Sequence, residues 1–277
     1  FNISFNRNKV LSLNDDEPSL ASRVNWGNFN NAYPYIAIPG HPIAMFYGHI
    51  FDGVYQYTDF DKVGESYILK DGVPNNGNAR EKIQPGDIKF KDINRDGVVN
   101  DYDLTIIGNP NPKHIGGFGN NFQYKNFDLN VFFQWSYGGD VLNANRIEFE
   151  GGDPNARTSL NMFASFANRW TPENQTNELY RIGGQGPAVY SSRTIEDGSF
   201  LRLKTVSLGY RLPNAWLKKI NIKSLRVYAS AQNLITWTRY SGPDPEVSTR
   251  PTALTPSFDW SPYPRPRTLT LGVDISF

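Results

Sequence analysis

The chain contains no cysteine. Disulfides, zinc fingers, iron–sulfur clusters and thiol nucleophiles are therefore excluded, and a small disulfide-stapled secreted fold is disfavoured. Histidine is scarce: His41, His49 and His114 stand singly, so no histidine cluster for catalysis or metal binding is legible. No run approaches the roughly 18 apolar residues of a membrane-spanning helix. The longest, Ile43 to Phe51, is interrupted by Gly48 and His49. An excess of charge is missing too. Lys and Arg number 28 against 27 Asp and Glu, a net +1 that gives no electrostatic case for a nucleic-acid partner. No G-x-S-x-G elbow, H-E-x-x-H, phosphate loop or dinucleotide fingerprint occurs.

What is present points to strands. Aromatic residues make up 14% of the 277 positions, too many for a disordered chain of this charge balance. The 24 Gly, 19 Pro and 29 Asn favour turns and long loops over a helical bundle. Six segments alternate with period two, the signature of a strand: Phe1–Phe5 fading through the polar Asn6–Lys9 into Val10–Leu13, about Gly116–Tyr124, Phe127–Tyr137, about Phe200–Tyr210, about Ser224–Thr236 and Leu269–Phe277. In the third, Phe127, Leu129, Val131, Phe133, Trp135 and Tyr137 share one face, opposite Asp128, Asn130, Phe132, Gln134 and Ser136. Lys125-Asn126 alone separates it from the second, which predicts a tight hairpin.

Each predicted strand has about the 9–11 residues that cross a bilayer at a tilt. A low overall hydropathy therefore does not exclude the membrane, because barrel strands alternate. Connections alternate in length, with long links at roughly 14–115, 138–199 and 237–267 and short ones at 125–126 and 211–223. Long outer loops and short periplasmic turns produce that pattern in outer-membrane barrels. The expected fold is thus all-β: about six strands of a transmembrane antiparallel β-barrel with long extracellular loops. Within the 14–115 link, Ile43–Gly48, Phe51–Tyr55 and Asp87–Phe90 read as extended and are expected to form an extracellular hairpin. Thr158–Trp170 reads as helical, ending before Pro172.

Several stretches in order along the chain carry a family resemblance. They are Gly86-Asp87-Ile88-Lys89-Phe90 with Asp92-Ile93-Asn94-Arg95-Asp96-Gly97 and Ile107-Gly108-Asn109-Pro110-Asn111-Pro112; Arg169-Trp170-Thr171-Pro172-Glu173-Asn174; Asp197-Gly198-Ser199-Phe200-Leu201-Arg202-Leu203-Lys204; Ser224-Leu225-Arg226-Val227-Tyr228 into Ala231-Gln232-Asn233-Leu234; and the closing strand ending in Phe277. Together they resemble the SusC/RagA-type TonB-dependent outer-membrane transporters of Bacteroidetes, over essentially the whole chain. The resemblance implies the C-terminal part, residues 1–277, of a barrel of about 22 strands, whose lumen needs a plug. It also implies that the plug and N-terminal extension are absent from these residues, since the chain opens inside an alternating pattern. The partners implied are a SusD-like lipoprotein lid, TonB through the missing N-terminal part, the remaining barrel and plug polypeptide, outer-membrane lipid, and a glycan or peptide substrate imported across the bacterial outer membrane. No enzyme activity is implied.

Residues 92–103 match a calcium loop. Asp92, Asn94, Asp96 and Asn100 stand at positions 1, 3, 5 and 9, Val98 offers a carbonyl at 7, Gly97 takes the sharp turn, and Asp103 replaces the usual Glu at 12. Hard oxygen donors favour Ca²⁺, with Mg²⁺ second, as a structural clip. An ion-free Asx-rich turn is the alternative reading. The loop aromatics Trp26, Phe29, Tyr33, Tyr35, Trp237, Tyr240, Trp260 and Tyr263 either pack the loops together or touch ligand. Trp26, Trp237, Tyr240 and Trp260 are the candidates for substrate contact. Tyr137, Trp135, Tyr210 and Trp216 suit an interfacial girdle, Trp216 alongside Lys218 and Lys219. Two other classes compete: a soluble secreted β-rich module binding carbohydrate with calcium, and a glycosidase using two of Glu148, Glu150, Asp153 and Glu173. The first requires Leu129, Val131, Phe133 and Trp135 to face a protein core.

Overall fold

The computed structural model describes residues 1–14, 17–26, 29–151, 160–188, 190–218, 221–250 and 252–277. Six strands form one antiparallel sheet: β1 (Asn2–Ser4), β2 (His114–Tyr124), β3 (Phe127–Tyr137), β4 (Phe200–Arg211), β5 (Ser224–Thr238) and β6 (Thr268–Ser276). They are the six segments of period two, and each is hydrogen-bonded to its neighbour in chain order. The β2–β3 hairpin closes through Lys125-Asn126, with Tyr124 opposite Phe127. Lys125 adopts φ 52°, a left-handed conformation at the first turn position that matches the twist of the flanking strands. The 212–223 link, with its short helix Asn214–Leu217, lies at the same end. The three long connections all leave from the opposite end.

One departure from alternation decides the faces. In β4 the residues on either side of Lys204 are out of phase, and Phe132 and Phe133 of β3 pair with Thr205 and Leu203. Lys204 is the extra residue of a β-bulge. Without it, Leu201 and Leu203 would share a face with Thr205 and Ser207. With it, they join Val206, Leu208 and Tyr210. Opposite, β5 answers with Asn233, at φ 52°.

The long connections fold into one body beyond the sheet. Val24, Trp26, Ala32, Tyr35, Ala44, Phe46, Leu142, Ala144, Ile147 and Phe258 form a single buried cluster drawn from all three links. A second cluster joins Val54, Ile88, Phe90 and Val99 to Trp170, Leu179 and Tyr180. Among the described buried hydrophobic side chains only Phe200 and Ala231 belong to the six-stranded sheet. The core of this chain is in its loops.

Two expectations are corrected. The segments 43–48, 51–55 and 87–90 do contain strands, but they do not make one hairpin. Met45–Gly48 lies between strands 29–37 and 105–108, whereas Phe51–Val54 pairs with Ile88–Phe90. Phe46 is committed to the first cluster and Phe90 to the second, so their strands are held in different sheets. The predicted helix at 158–170 is not an α-helix where it is described. Ala164–Asn168 forms 3₁₀ turns, which suit a Leu160, Phe163, Phe166 spacing of three. Among the described residues the α-helix of this link is Ala144–Glu150.

Candidate functional site

Reading across the strands, the sheet has two unlike faces. One carries the rows Phe122–Leu129–Leu208–Ala229–Leu271 and Phe118–Phe133–Leu203–Ile235. The other carries Asn121–Asn130–Ser207–Ser230–Thr270. Among the described residues nothing covers the apolar face: Leu271 is 85% exposed and Phe122 58%. Leaving a leucine-sized side chain in water forfeits ~1.5–3 kcal/mol, so a face of this width needs an apolar surrounding. Leu129, Val131, Phe133 and Trp135 lie on this uncovered face, not in a protein core, which removes the support for a soluble sandwich.

Aromatic rings bracket the apolar face. Phe127 and Tyr210 pack at a tilt, ring centroids 4.7 Å apart, at the short-turn end. Trp135 and Trp237 lie at the long-loop end in register with Leu201. From Phe127 to Tyr137 is ten residues, about 34 Å along a strand and about 26 Å along the normal at ~40° tilt, close to the ~25 Å apolar band of membrane barrels. Trp216, 64% exposed, extends beyond the turn end. Lys219 lies outside the described residues.

The opposite face is tied by charge. Arg226 on β5 donates from Nε and Nη2 to Asp128 at 2.9 and 2.7 Å, and from Nη1 to Asp274 at 3.1 Å. The bridge passes over β4 at Gly209, where a Cβ would stand 2.5 Å from the guanidinium. A glycine there lets one cation join three strands.

At the loop end, Arg202 is 1% exposed and donates to Asp244 at 2.5 Å and to Glu246 at 3.4 Å; Arg265 reaches Glu246 at 3.0 Å. Two cations thus fasten the 239–257 segment over the polar face. Beneath the loops, Glu150 accepts from Arg146 at 2.9 Å, from Arg193 at 2.7 Å and from Ser165 at 2.8 Å. Burial alone would raise its pKa, but the arginines and the hydroxyl hold it below the ordinary carboxylate value. Burial raises Asp87 despite the Gln84 amide and an Arg181 contact at 2.7 Å. Asp259 is raised likewise by burial, although Tyr240 and Asn145 donate to it. Of the glycosidase candidates, Glu150 is spent on its arginines, Glu148 is buried, Glu173 stands in the exposed Thr171–Asn174 turn, and Asp153 lies outside the described residues.

In the 92–103 loop, main-chain amides meet the predicted ligands. Asp92 accepts from Arg95 and Gly97 at 2.6 and 2.8 Å, and Asp96 accepts from Val98 at 2.8 Å. Asn94 accepts from Asp96 N and donates to the Asp96 carboxylate. Asn100 caps Tyr102 at 2.8 Å. Asp103 is fully buried and accepts from Ile93 and Asn100 at 2.7 and 2.9 Å. Asp92, Asn94 and Asp96 surround the turn with their oxygens near solvent, while Asp103 closes the loop from inside. Among the described residues no group of three His, Cys, Asp or Glu side chains is spaced to hold an ion. A cation here would have to draw mainly on amide and carbonyl oxygens.

The aromatic candidates mostly pack. Trp26 sits edge-on to Phe258 in the loop core, and Tyr240 is 5% exposed with its hydroxyl donated to Asp259. Both rings lie inside the loop body, Trp26 against Phe258 and Tyr240 tied through its hydroxyl to Asp259. Trp237 is half exposed, on the apolar face with Leu201. Trp260 is partly buried and stacks on Phe149. Tyr35 is buried, Tyr33 and Tyr263 are exposed, and the Phe29 side chain lies outside the described residues.

A six-stranded antiparallel wall with one bare apolar face, a polar reverse, bracketing aromatics and long loops at one end only is part of a transmembrane β-barrel. The six strands do not close on themselves. No family model matches the chain. It is 35% identical to TonB-dependent receptor P3 of Formosa agariphila, covering 100% of this chain and 26% of that protein. It is 32% identical to TonB-dependent receptor SusC of Bacteroides thetaiotaomicron over 71% of this chain and 18% of that protein. Among solved structures, the RagAB peptide transporter matches 99% of this chain and 26% of that one, with a TM-score of 0.70 at 23% identity. The chain belongs with the TonB-dependent receptors of the SusC/RagA type, proteins of the bacterial outer membrane, and spans about a quarter of the length of the relatives it matches.

Proposed function

We propose that this chain forms barrel wall and outer vestibule of an active importer driven through TonB, taking up glycans or peptides beneath a SusD-like lipoprotein lid. The observation that carries the reading is the two-faced sheet with all three long connections at one end. The apolar face meets lipid, the polar face meets the lumen, and the loop body stands on the extracellular side over residues 5–113, 138–199 and 239–267. The relatives' names support a TonB-dependent receptor, and the likeness to the RagAB peptide transporter supports a peptide cargo. The test is uptake by cells carrying the full-length protein, supplied with labelled oligosaccharides and peptides, with TonB present or deleted. The reading requires accumulation of one class only when TonB is present, and co-purification of a lipoprotein. Accumulation indifferent to TonB would overturn it.

For the 92–103 loop we propose a structural Ca²⁺, with Mg²⁺ second. The order of oxygen-bearing residues and the turn at Gly97 support it. Loading would require Asp92 and Asp96 to turn part of their oxygens from amide hydrogens to the ion. Protease resistance of this loop that rises with Ca²⁺, and no longer does so in Asp92→Ala, is the expected result. Indifference to Ca²⁺ leaves the ion-free Asx turn.

A further inference from the structure

Four tyrosines from separate parts of the loop body line one cavity of about 740 Å³. Tyr33 comes from the strand 29–37, Tyr47 from the strand 45–48, Tyr102 from the 3₁₀ turn Asp101–Asp103, and Tyr190 from the 138–199 connection. His49, Asn76, Asn100 and Asp101 complete its polar lining. The volume falls in the ~300–1,000 Å³ range of small-molecule sites. Tyr190 backs onto the first buried cluster, whereas Tyr33, Tyr47 and Tyr102 belong to none. Among the described residues none of the four hydroxyls is hydrogen-bonded, unlike those of Tyr35, Tyr55 and Tyr240, which each have a partner.

The geometry is built rather than incidental. Gly48 lets the Tyr190 ring come close, since a Cβ there would stand 2.9 Å from it. The Asx ladder of the preceding loop ends in Asn100, whose side chain caps Tyr102 N at 2.8 Å, and Asp103 fixes the same turn from inside. Tyr102 itself is 83% exposed, so its apolar ring is held out in solvent by a rigid support and not by its own burial.

We propose that this cavity binds a short uncharged saccharide. A pyranose presents flat C–H faces that pack on aromatic rings, and a rim of hydroxyls that exchange water for phenol, amide and carboxylate groups. Four phenols, two amides, an imidazole and one carboxylate suit that rim. The lining holds no lysine or arginine, and burial lowers the pKa of its one histidine, His49, so it offers no permanent cation to a phosphate, a uronate or a peptide carboxylate. The strand that carries Tyr47 is hydrogen-bonded on both sides, so it has no free edge to which an extended peptide could add. The proposal rests on the importer reading, to which it adds a substrate class and a binding site in the loop body, away from the barrel wall.

The experiment uses the full-length protein with its lid, purified in detergent. Calorimetry would measure binding of maltohexaose, cellohexaose, xylohexaose and laminarihexaose, with a neutral octapeptide as the competing class. At least one hexasaccharide is expected to bind. Tyr102→Ala, at an exposed position that folding does not need, should weaken it about tenfold or more by removing the stacking surface. Tyr102→Phe should retain most of the affinity, and Tyr190→Phe should lose about three- to tenfold with its hydroxyl. Thr270→Ala, on the barrel wall, should leave the affinity unchanged. Absence of binding by all four sugars, insensitivity to Tyr102→Ala, or peptide binding that is sensitive to it would each overturn the proposal. Failure of TonB-dependent uptake with sugar binding intact would overturn the importer reading alone. Uptake that persists with sugar binding unmoved by the tyrosine substitutions would overturn the cavity alone.

Discussion

An arginine placed at Val206 tests the wall most directly. Val206 stands in the row Val131–Val206–Ala231–Leu269 on the apolar face. It is four residues from Tyr210 of the turn-end aromatic pair, about 14 Å along β4 and about 10 Å along the normal at ~40° tilt. Half of a ~25 Å apolar band is ~12 Å, so Val206 lies near the midplane. Arginine there should cost about 2–4 kcal/mol, a roughly 30- to 900-fold loss in the folding equilibrium at ~1.36 kcal/mol per tenfold. Ser207→Arg provides the control at nearly the same height, in the polar row with Asn130 and Ser230, and should cost less than about 1 kcal/mol. Leu208→Arg, nearer the aromatic row, should fall between them. The assay is urea-dependent folding of the full-length protein into phosphatidylcholine vesicles, followed by gel mobility of the folded barrel. Equal losses for Val206→Arg and Ser207→Arg would refute the assignment of faces, and with it the role given to the bulge at Lys204.

Three further outcomes follow from the loop body. Arg202→Met strips Asp244 and Glu246 of their buried cation; Arg265 compensates in part, so about 3 kcal/mol of local stability should be lost, read as faster amide exchange across 239–257. Gly86 adopts φ 92° and a Cβ there would stand 2.4 Å from the Trp170 ring; Gly86→Ala should cost about 2–3 kcal/mol from strain and overpacking together, measured as earlier proteolysis of the loops with the barrel intact. Glu150 holds its proton less tightly in the folded protein than the ordinary 4.5. Its contribution is therefore complete above that value and disappears as pH falls through the depressed native one. Acid should loosen the Arg146–Glu150–Arg193 junction in amide exchange below about pH 4.5, and Glu150→Gln should remove that step.

The strands were legible because each answers to a local rule. Alternation over Phe127–Tyr137 or Leu269–Phe277 is a property of consecutive residues, and a two-residue gap can be nothing but a turn. Length alternation of the links likewise requires no contact information, and the ordered motifs from Gly86 to Phe277 pointed to the family before any packing was known. The bulge at Lys204 is half-legible: the change of phase between Leu203 and Val206 is written in the sequence, but it acquires meaning only when β3 and β5 pair across it.

The aromatics divide along a different line. Trp26 and Tyr240 looked like ligand contacts because they fall in loops, and a ring in a loop carries no local mark of whether it is covered. Trp26 is covered by Phe258, more than 200 positions away, and Tyr240 is bonded to Asp259 from another turn of the same link. Tyr47, Tyr102 and Tyr190 gave no signal at all, since only the folding together of two connections brings them to one cavity. What the sequence determined by itself is the outline of the wall: its six strands and, away from the bulge at Lys204, the two faces into which their residues sort, set by short-range periodicity. What only the tertiary structure decided is the loop body: its shared core, its buried arginine clusters and its ring-lined cavity, which depend on contacts between residues that no periodicity links.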